Sequence, residues 1–121
     1  MCELFALSAS APVDIRLSLA ELARHGGDTG IHADGWGAAF LEGPDASRFR
    51  EPRAAAYSPW VQCLQDHPVR SNTVIAHIRH ATRGAISLAN TQPFVRAGRT
   101  SPRVCAQWAS RRRRPVNARI I

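Results

Sequence analysis

An apolar run, CELFALS, begins at the second residue of the chain. So continuous a stretch reads as a buried strand, and a strand that starts this early ties down the chain terminus. Further along, the segment 71–82, SNTVIAHIRHAT, has β-branched Thr73, Val74, Ile75 and Ile78 and is the best strand in the sequence. Arg79 and Thr82 fall at its exit. Between these two runs, GDTGIHADGWGAAFLEG combines a glycine-rich loop with an apolar stretch from Trp36 to Leu41, which predicts a turn leading into another strand. A further strand is expected near 53–57.

Two helices are expected among these strands. Ser18 and Glu21 have the spacing of a capping box, Leu19, Leu22 and Ala23 follow at helical intervals, and Gly26 and Gly27 supply the stop, giving a helix over 18–25. Ser58 as N-cap and Pro59 at the first helical position open a second, through Trp60, Val61 and Leu64 to about Asp66, closed by Pro68. Trp36 and Trp60 read as core residues. After Phe94 no period is sustained, and Arg111 to Arg114 form a block of like charge that repels itself in a packed core. Two parts are therefore expected, a folded one over 1–96 and an arginine-rich, disordered one over 97–121.

The length, 121 residues, suits one small domain. A chain of this size buries roughly two-thirds of its unfolded surface. The formal charge of +7 would point to nucleic acid if it were spread over the fold, but residues 1–96 hold nine arginines and nine acids. All the excess lies in 97–121, with seven arginines and no acid. A nucleic-acid-binding protein that uses this tail to neutralise phosphate is thus an alternative of a different class, without groove-reading motif or interleaved aromatics to support it. No apolar run approaches the about 18 residues of a membrane span. The N-terminus lacks the basic flank of a secretory signal, so the cytoplasm is the expected compartment. Three cysteines, Cys2, Cys63 and Cys105, have no paired spacing and form neither a disulfide framework nor a metal knuckle.

Cys2 is the first candidate for chemistry. A small second residue permits removal of Met1, which leaves a thiol and a free α-amine on one residue. The amine titrates near pH 8 and can take the thiol proton directly or through water, giving a thiolate that attacks carbonyl carbon. Taken alone, Cys2 reads first as simply the small second residue of an ordinary protein, since free cysteines are common buried hydrophobes. His77 and His80 are a pair to suspect of metal binding, but a third ligand at sensible spacing is missing. The DTGIHADG stretch lacks the alternating acids and terminal glutamate of a calcium loop.

Four segments change that balance: MCELFALSA, HADGWGAAF (32–40), IAHIRHATRG (75–84) and NTQPF (90–94). In this order and spacing they resemble the class II glutamine amidotransferases, most of all the small stand-alone bacterial members. The resemblance covers about residues 1–96. It implies an α+β, N-terminal-nucleophile hydrolase fold, an αββα sandwich of mainly antiparallel sheets of which this chain encodes part. It implies Cys2 as nucleophile and Arg79 as the arginine that pairs with the α-carboxylate of glutamine, a task that suits the guanidinium fork. His80 and Thr82, with the backbone beside them, match the loop that holds the amino acid end of the substrate. Asp34, Gly35, Trp36 and Gly37 match an architectural segment whose glycines permit a tight turn, and Asn90 and Gln92 match a supporting segment under the site. No metal or organic cofactor is implied. The partners implied are glutamine or a γ-glutamyl compound, with an ammonia-accepting synthase as the macromolecular candidate. Small relatives hydrolyse other γ-glutamyl amides, which leaves the group on the γ-carbonyl open.

The chain departs from the family after NTQPF. Family members continue to a His-Asn-Gly strand end that supplies the oxyanion hole, and no such triplet occurs here. Losing even one oxyanion donor costs on the order of a hundredfold to a thousandfold in rate, so a feeble catalyst is expected. Val104 to Ala109, VCAQWA, are encoded by codons whose reading one base later permits Phe-Ala-His-Asn-Gly. A frameshift shortly after Arg96 is the expectation that follows.

Overall fold

The computed structural model describes residues 2–96 and 103–105. Four strands form one antiparallel sheet: β1 (Glu3–Asp14), β2 (Trp36–Glu42), β3 (Asp45–Glu51) and β4 (Arg70–Ile78), in the order β1-β4-β2-β3. Two helices, α1 (Arg16–His25) and α2 (Pro59–Asp66), pack against one face of it and against each other. A separate two-stranded ribbon joins β5 (Phe94–Arg96) to β6 (Arg103–Cys105). Helices with antiparallel sheet make this an α+β fold, consistent with the partial αββα sandwich expected. No helix among the described residues is long and apolar enough to cross a membrane.

Strand register sorts the side chains into two faces. Toward the helices, one row across the sheet reads Leu7, Val74, Phe40 and the next reads Phe5, Ala76, Ala38, Phe49. These residues, with Leu19 and Ala23 of α1 and Val61 and Leu64 of α2, make the core. A third row reads Glu3, Ile78, Trp36, Glu51, with an acid on each edge strand. Each acid moors a helix. Glu3 Oε2 lies 2.8 Å from His25 Nδ1 in the last turn of α1. Glu51 Oε2 accepts from Trp36 Nε1 at 2.9 Å and from the Ser58 hydroxyl that caps α2.

The second helix begins as its sequence predicts, with Pro59 first and Ser58 Oγ accepting from the Trp60 and Val61 amides. Such a cap contributes about 1 kcal/mol. The first helix does not. It starts at Arg16 with Ile15 as an N-cap that makes no side-chain bond, and Ser18 lies inside it. Asp14 takes over the start, its Oδ1 accepting from Arg16 N at 2.9 Å while Oδ2 pairs with Arg16 Nε. The strand expected near 53–57 is also displaced. A two-residue Gly43–Pro44 turn folds β3 straight back on β2 over 45–51, and Ala55–Tyr57 form a short 3-10 turn instead. Trp60 is 51% exposed rather than core, packed through its ring on Phe49, whereas Trp36 is fully buried. Three residues of the segment expected to be disordered form β6, and the rest of that expectation lies outside the described residues.

Candidate active site

The site lies where β1 begins and β4 ends, because their antiparallel pairing brings the first strand residue, Glu3, opposite the last, Ile78. Cys2 precedes the one and Arg79 follows the other. Cys2 is exposed, and its Sγ–H donates to the His80 carbonyl at 3.7 Å. Cys2, Arg79, His80, Thr82, Asn90 and Gln92 line one cavity of about 600 Å³.

Arg79 is 6% exposed, and among the described residues no carboxylate pairs with it. Its guanidinium instead donates to the carbonyls of Ala85 at 3.1 Å, Arg83 at 3.0 Å and Gly84 at 3.3 Å. Carbonyl dipoles hold a buried cation in place without neutralising it, which leaves a net positive field for an anion entering the cavity. Asn90 stabilises the same loop, its amide donating to Ala85 O at 3.0 Å.

The DGWG segment divides. Trp36 points to the helix side and lies away from the cavity. Gly35 supplies the turn, at φ +145. Gly37, expected in a turn, is instead inside β2, and its bare backbone lets another segment cross the sheet. A Cβ there would collide with the Gln92 carbonyl and lie 2.8 Å from Pro93 Cδ. Asp34 grips the site from behind, its Oδ2 accepting from Ala81 N at 2.7 Å.

Three imidazoles lie near the end of β4, of which only His80 lines the cavity with Cys2 and Arg79. The Nδ1 atoms of His32 and His80 lie 3.6 and 3.5 Å from carboxylate oxygens of Glu3 and Asp34, within ion-pair range but without hydrogen-bond alignment. The two rings meet edge to face at 6.3 Å. His77 is buried, and its Nδ1 has no partner among the described residues. Burial above all, then the nearby Arg79 guanidinium and His32 ring, lowers its pKa to about 4. His77 is therefore a neutral group near pH 7. Since β4 stops at Ile78, His77 and His80 do not form a pair on one strand. Among the described residues no three His, Cys, Asp or Glu side chains converge where a metal ion could sit.

One contributor is invisible in the sequence. Arg50 of β3 neighbours Gly37 and donates to Thr91 O at 2.8 Å and Leu88 O at 3.3 Å, with its guanidinium 5.8 Å from the Phe94 ring centroid. It pins to the sheet the segment that carries Asn90 and Gln92. Burial and the nearby Arg48 lower its pKa. An arginine alternating with Arg48 along a strand gives no signal of this.

A model of the family described as class-II glutamine amidotransferases matches residues 1–107. Over 96 residues, 79% of this chain, it is 47% identical to YafJ of Escherichia coli and 42% identical to a protein of Haemophilus influenzae, both provisionally named glutamine amidotransferases. The chain spans only 38% and 33% of those relatives. A crystal structure of a predicted glutamine amidotransferase from Pseudomonas aeruginosa superposes with a TM-score of 0.52 at 32% identity, covering 99% of this chain and 49% of that one.

Proposed function

Because this chain belongs to the class II glutamine amidotransferase family, we propose that it carries the glutamine-hydrolysing half-reaction, with Cys2 as nucleophile and Arg79 as the anchor for the substrate α-carboxylate. The observation that carries this reading is the buried Arg79 guanidinium, paired with no carboxylate among the described residues and lining the same cavity as the exposed Cys2 thiol. An arginine in that state suits a carboxylate ligand, because the ligand supplies the missing counter-charge and two parallel acceptors.

After Met1 is removed, the Cys2 α-amine takes the thiol proton. The thiolate adds to the side-chain carbonyl of glutamine, the C–N bond breaks, and ammonia leaves with the proton that the amine held. Water, or an acceptor, then resolves the γ-glutamyl thioester and returns the thiol. His80 and Thr82 line the amino acid end, while Asn90 and Gln92 support it. The chemistry needs no metal. With no His-Asn-Gly in the 121 residues, turnover is slow.

The test is ammonia release from glutamine by the purified chain, compared with Cys2→Ala and with a form that retains Met1. Slow turnover that both changes abolish is the expected result, rising with pH toward about 8 as the amine deprotonates. Turnover that survives Cys2→Ala sinks the reading.

The cavity supports a second reading. At about 600 Å³ it exceeds what one glutamine fills, leaving room for a group on the γ-nitrogen. A panel of γ-glutamyl amides under the same assay separates the two, since a larger amide outcompeting glutamine selects the second. An ammonia-accepting synthase is the partner of the first reading alone.

A further inference from the structure

Asp34 and Gly35 are joined to residues 79–81 by three hydrogen bonds. Asp34 N–H donates to Arg79 O at 3.0 Å, Arg79 N–H donates to Gly35 O at 2.7 Å, and Ala81 N–H donates to Asp34 Oδ2 at 2.7 Å. The same Oδ2 stands 3.5 Å from His80 Nδ1. Between these anchored groups, the His80 carbonyl accepts the Cys2 thiol. Arg79, at the start of the clamped segment, turns its guanidinium into the cavity that Cys2 also lines.

A turn alone does not require this carboxylate. The bend is already set by Gly35, whose φ of +145 disfavours any side chain and whose Cβ would lie 3.2 Å from Thr91 Oγ1. The Asp34 carboxylate instead spans 47 positions of sequence to make a charge-assisted bond to an amide two residues past Arg79. We propose that Asp34 is a positioning residue for amide cleavage: its carboxylate fixes the 79–81 segment, and through it both the carbonyl that holds the Cys2 thiol and the arginine that meets the substrate carboxylate. The proposal rests on the roles of Cys2 and Arg79 given above and adds that one acid aligns them.

The test compares the full chain with Asp34→Ala, Asp34→Asn and Glu51→Gln, the last weakening the fold away from the cavity. Misplacement of this kind costs about a hundredfold in kcat/KM. Asp34→Ala is expected to lose that much, divided between a lower kcat and a higher KM because nucleophile and anchor move together. Asp34→Asn keeps an oxygen for Ala81 N–H and recovers part of the loss. Glu51→Gln lowers the melting temperature and leaves kcat and KM in place. Two readouts do not depend on turnover. Amide exchange at Ala81 accelerates in Asp34→Ala, and peptide-resolved alkylation changes at Cys2 but not at exposed Cys63. Wild-type kcat/KM in Asp34→Ala overturns the proposal, as does unchanged Ala81 exchange with an unchanged Cys2 to Cys63 ratio. Should the parent chain show no Cys2-dependent turnover, the functional reading fails, while exchange and alkylation still decide the clamp.

Discussion

On the helix side of the sheet, Phe5, Trp36, Ala38, Phe40, Val74, Ala76 and Ile78 are buried against α1 and α2. At the end where β4 runs out, Cys2, Asp34 and Arg79 are held by directional bonds to main-chain carbonyls and amides, and three imidazoles lie beside them with their Nδ1 atoms unbonded among the described residues. The first region draws on burial of apolar area, which is indifferent to direction and to protonation. The second draws on charge and alignment, so it can bind an ion and also be disturbed by one. The difference teaches that volume changes should be felt on one side and pH or charge changes on the other.

The largest expected effect tests the apolar side. Phe40→Ala removes a ring that is 2% exposed and packed edge to face on Phe49, at a cost of about 3–5 kcal/mol. Denaturant titration measures it, and the loss should be the same at pH 5 and pH 8. A strongly pH-dependent loss breaks the division.

Next comes the acid response of the polar side. Buried His77 takes up a proton only near pH 4 when folded, against 6.5 when unfolded. Between those values the unfolded chain binds more protons, so stability falls as pH drops through the window, by roughly 3 kcal/mol in all, and is flat above it. Unfolding measured from pH 4 to 7 should show this slope in the parent and lose it in His77→Leu. An equally steep slope in the variant assigns the acid response elsewhere.

Charge removal at the anchor follows. Arg79→Met should raise KM for glutamine about a hundredfold, the loss of a charge-assisted pair, while Arg50→Met, two steps from substrate, should do less. Equal effects would mean that Arg79 works only by holding its loop.

The smallest effect is at the mooring of β1 to α1. The hydrogen bond that His25 donates to Glu3 raises the His25 pKa, against some desolvation. That contribution is complete below about pH 6.5 and is lost as pH rises through the raised folded value. Both side chains are more than a third exposed, so the change is small. Glu3→Gln should flatten it, and its slope runs opposite to that of His77.

Much of the fold was legible because its signals are local. The β-branched run of β4, Ser58 followed by Pro59, and the apolar stretch from Trp36 each specify an element from a few neighbouring residues. The start of α1 was misplaced because Asp14 binds the Arg16 amide and opens the helix before Ser18, which then lies inside it. The 45–51 strand was missed because Phe49 is its single large apolar residue and only pairing with β2 makes it extended.

The sequence by itself determined that a thiol stands at the second position, that an arginine leaves the end of the strongest strand, and that their flanking motifs belong to one family. Only the tertiary structure decided that these two residues share a cavity, that Arg79 is steadied by carbonyls rather than an acid, and that Asp34 and Arg50 hold the segments on which the site is built. Those bonds join residues 47 and 41 positions apart. Periodicity and capping extend over a turn or two of chain, whereas such contacts exist only once the sheet has closed and its register has set which side chains meet.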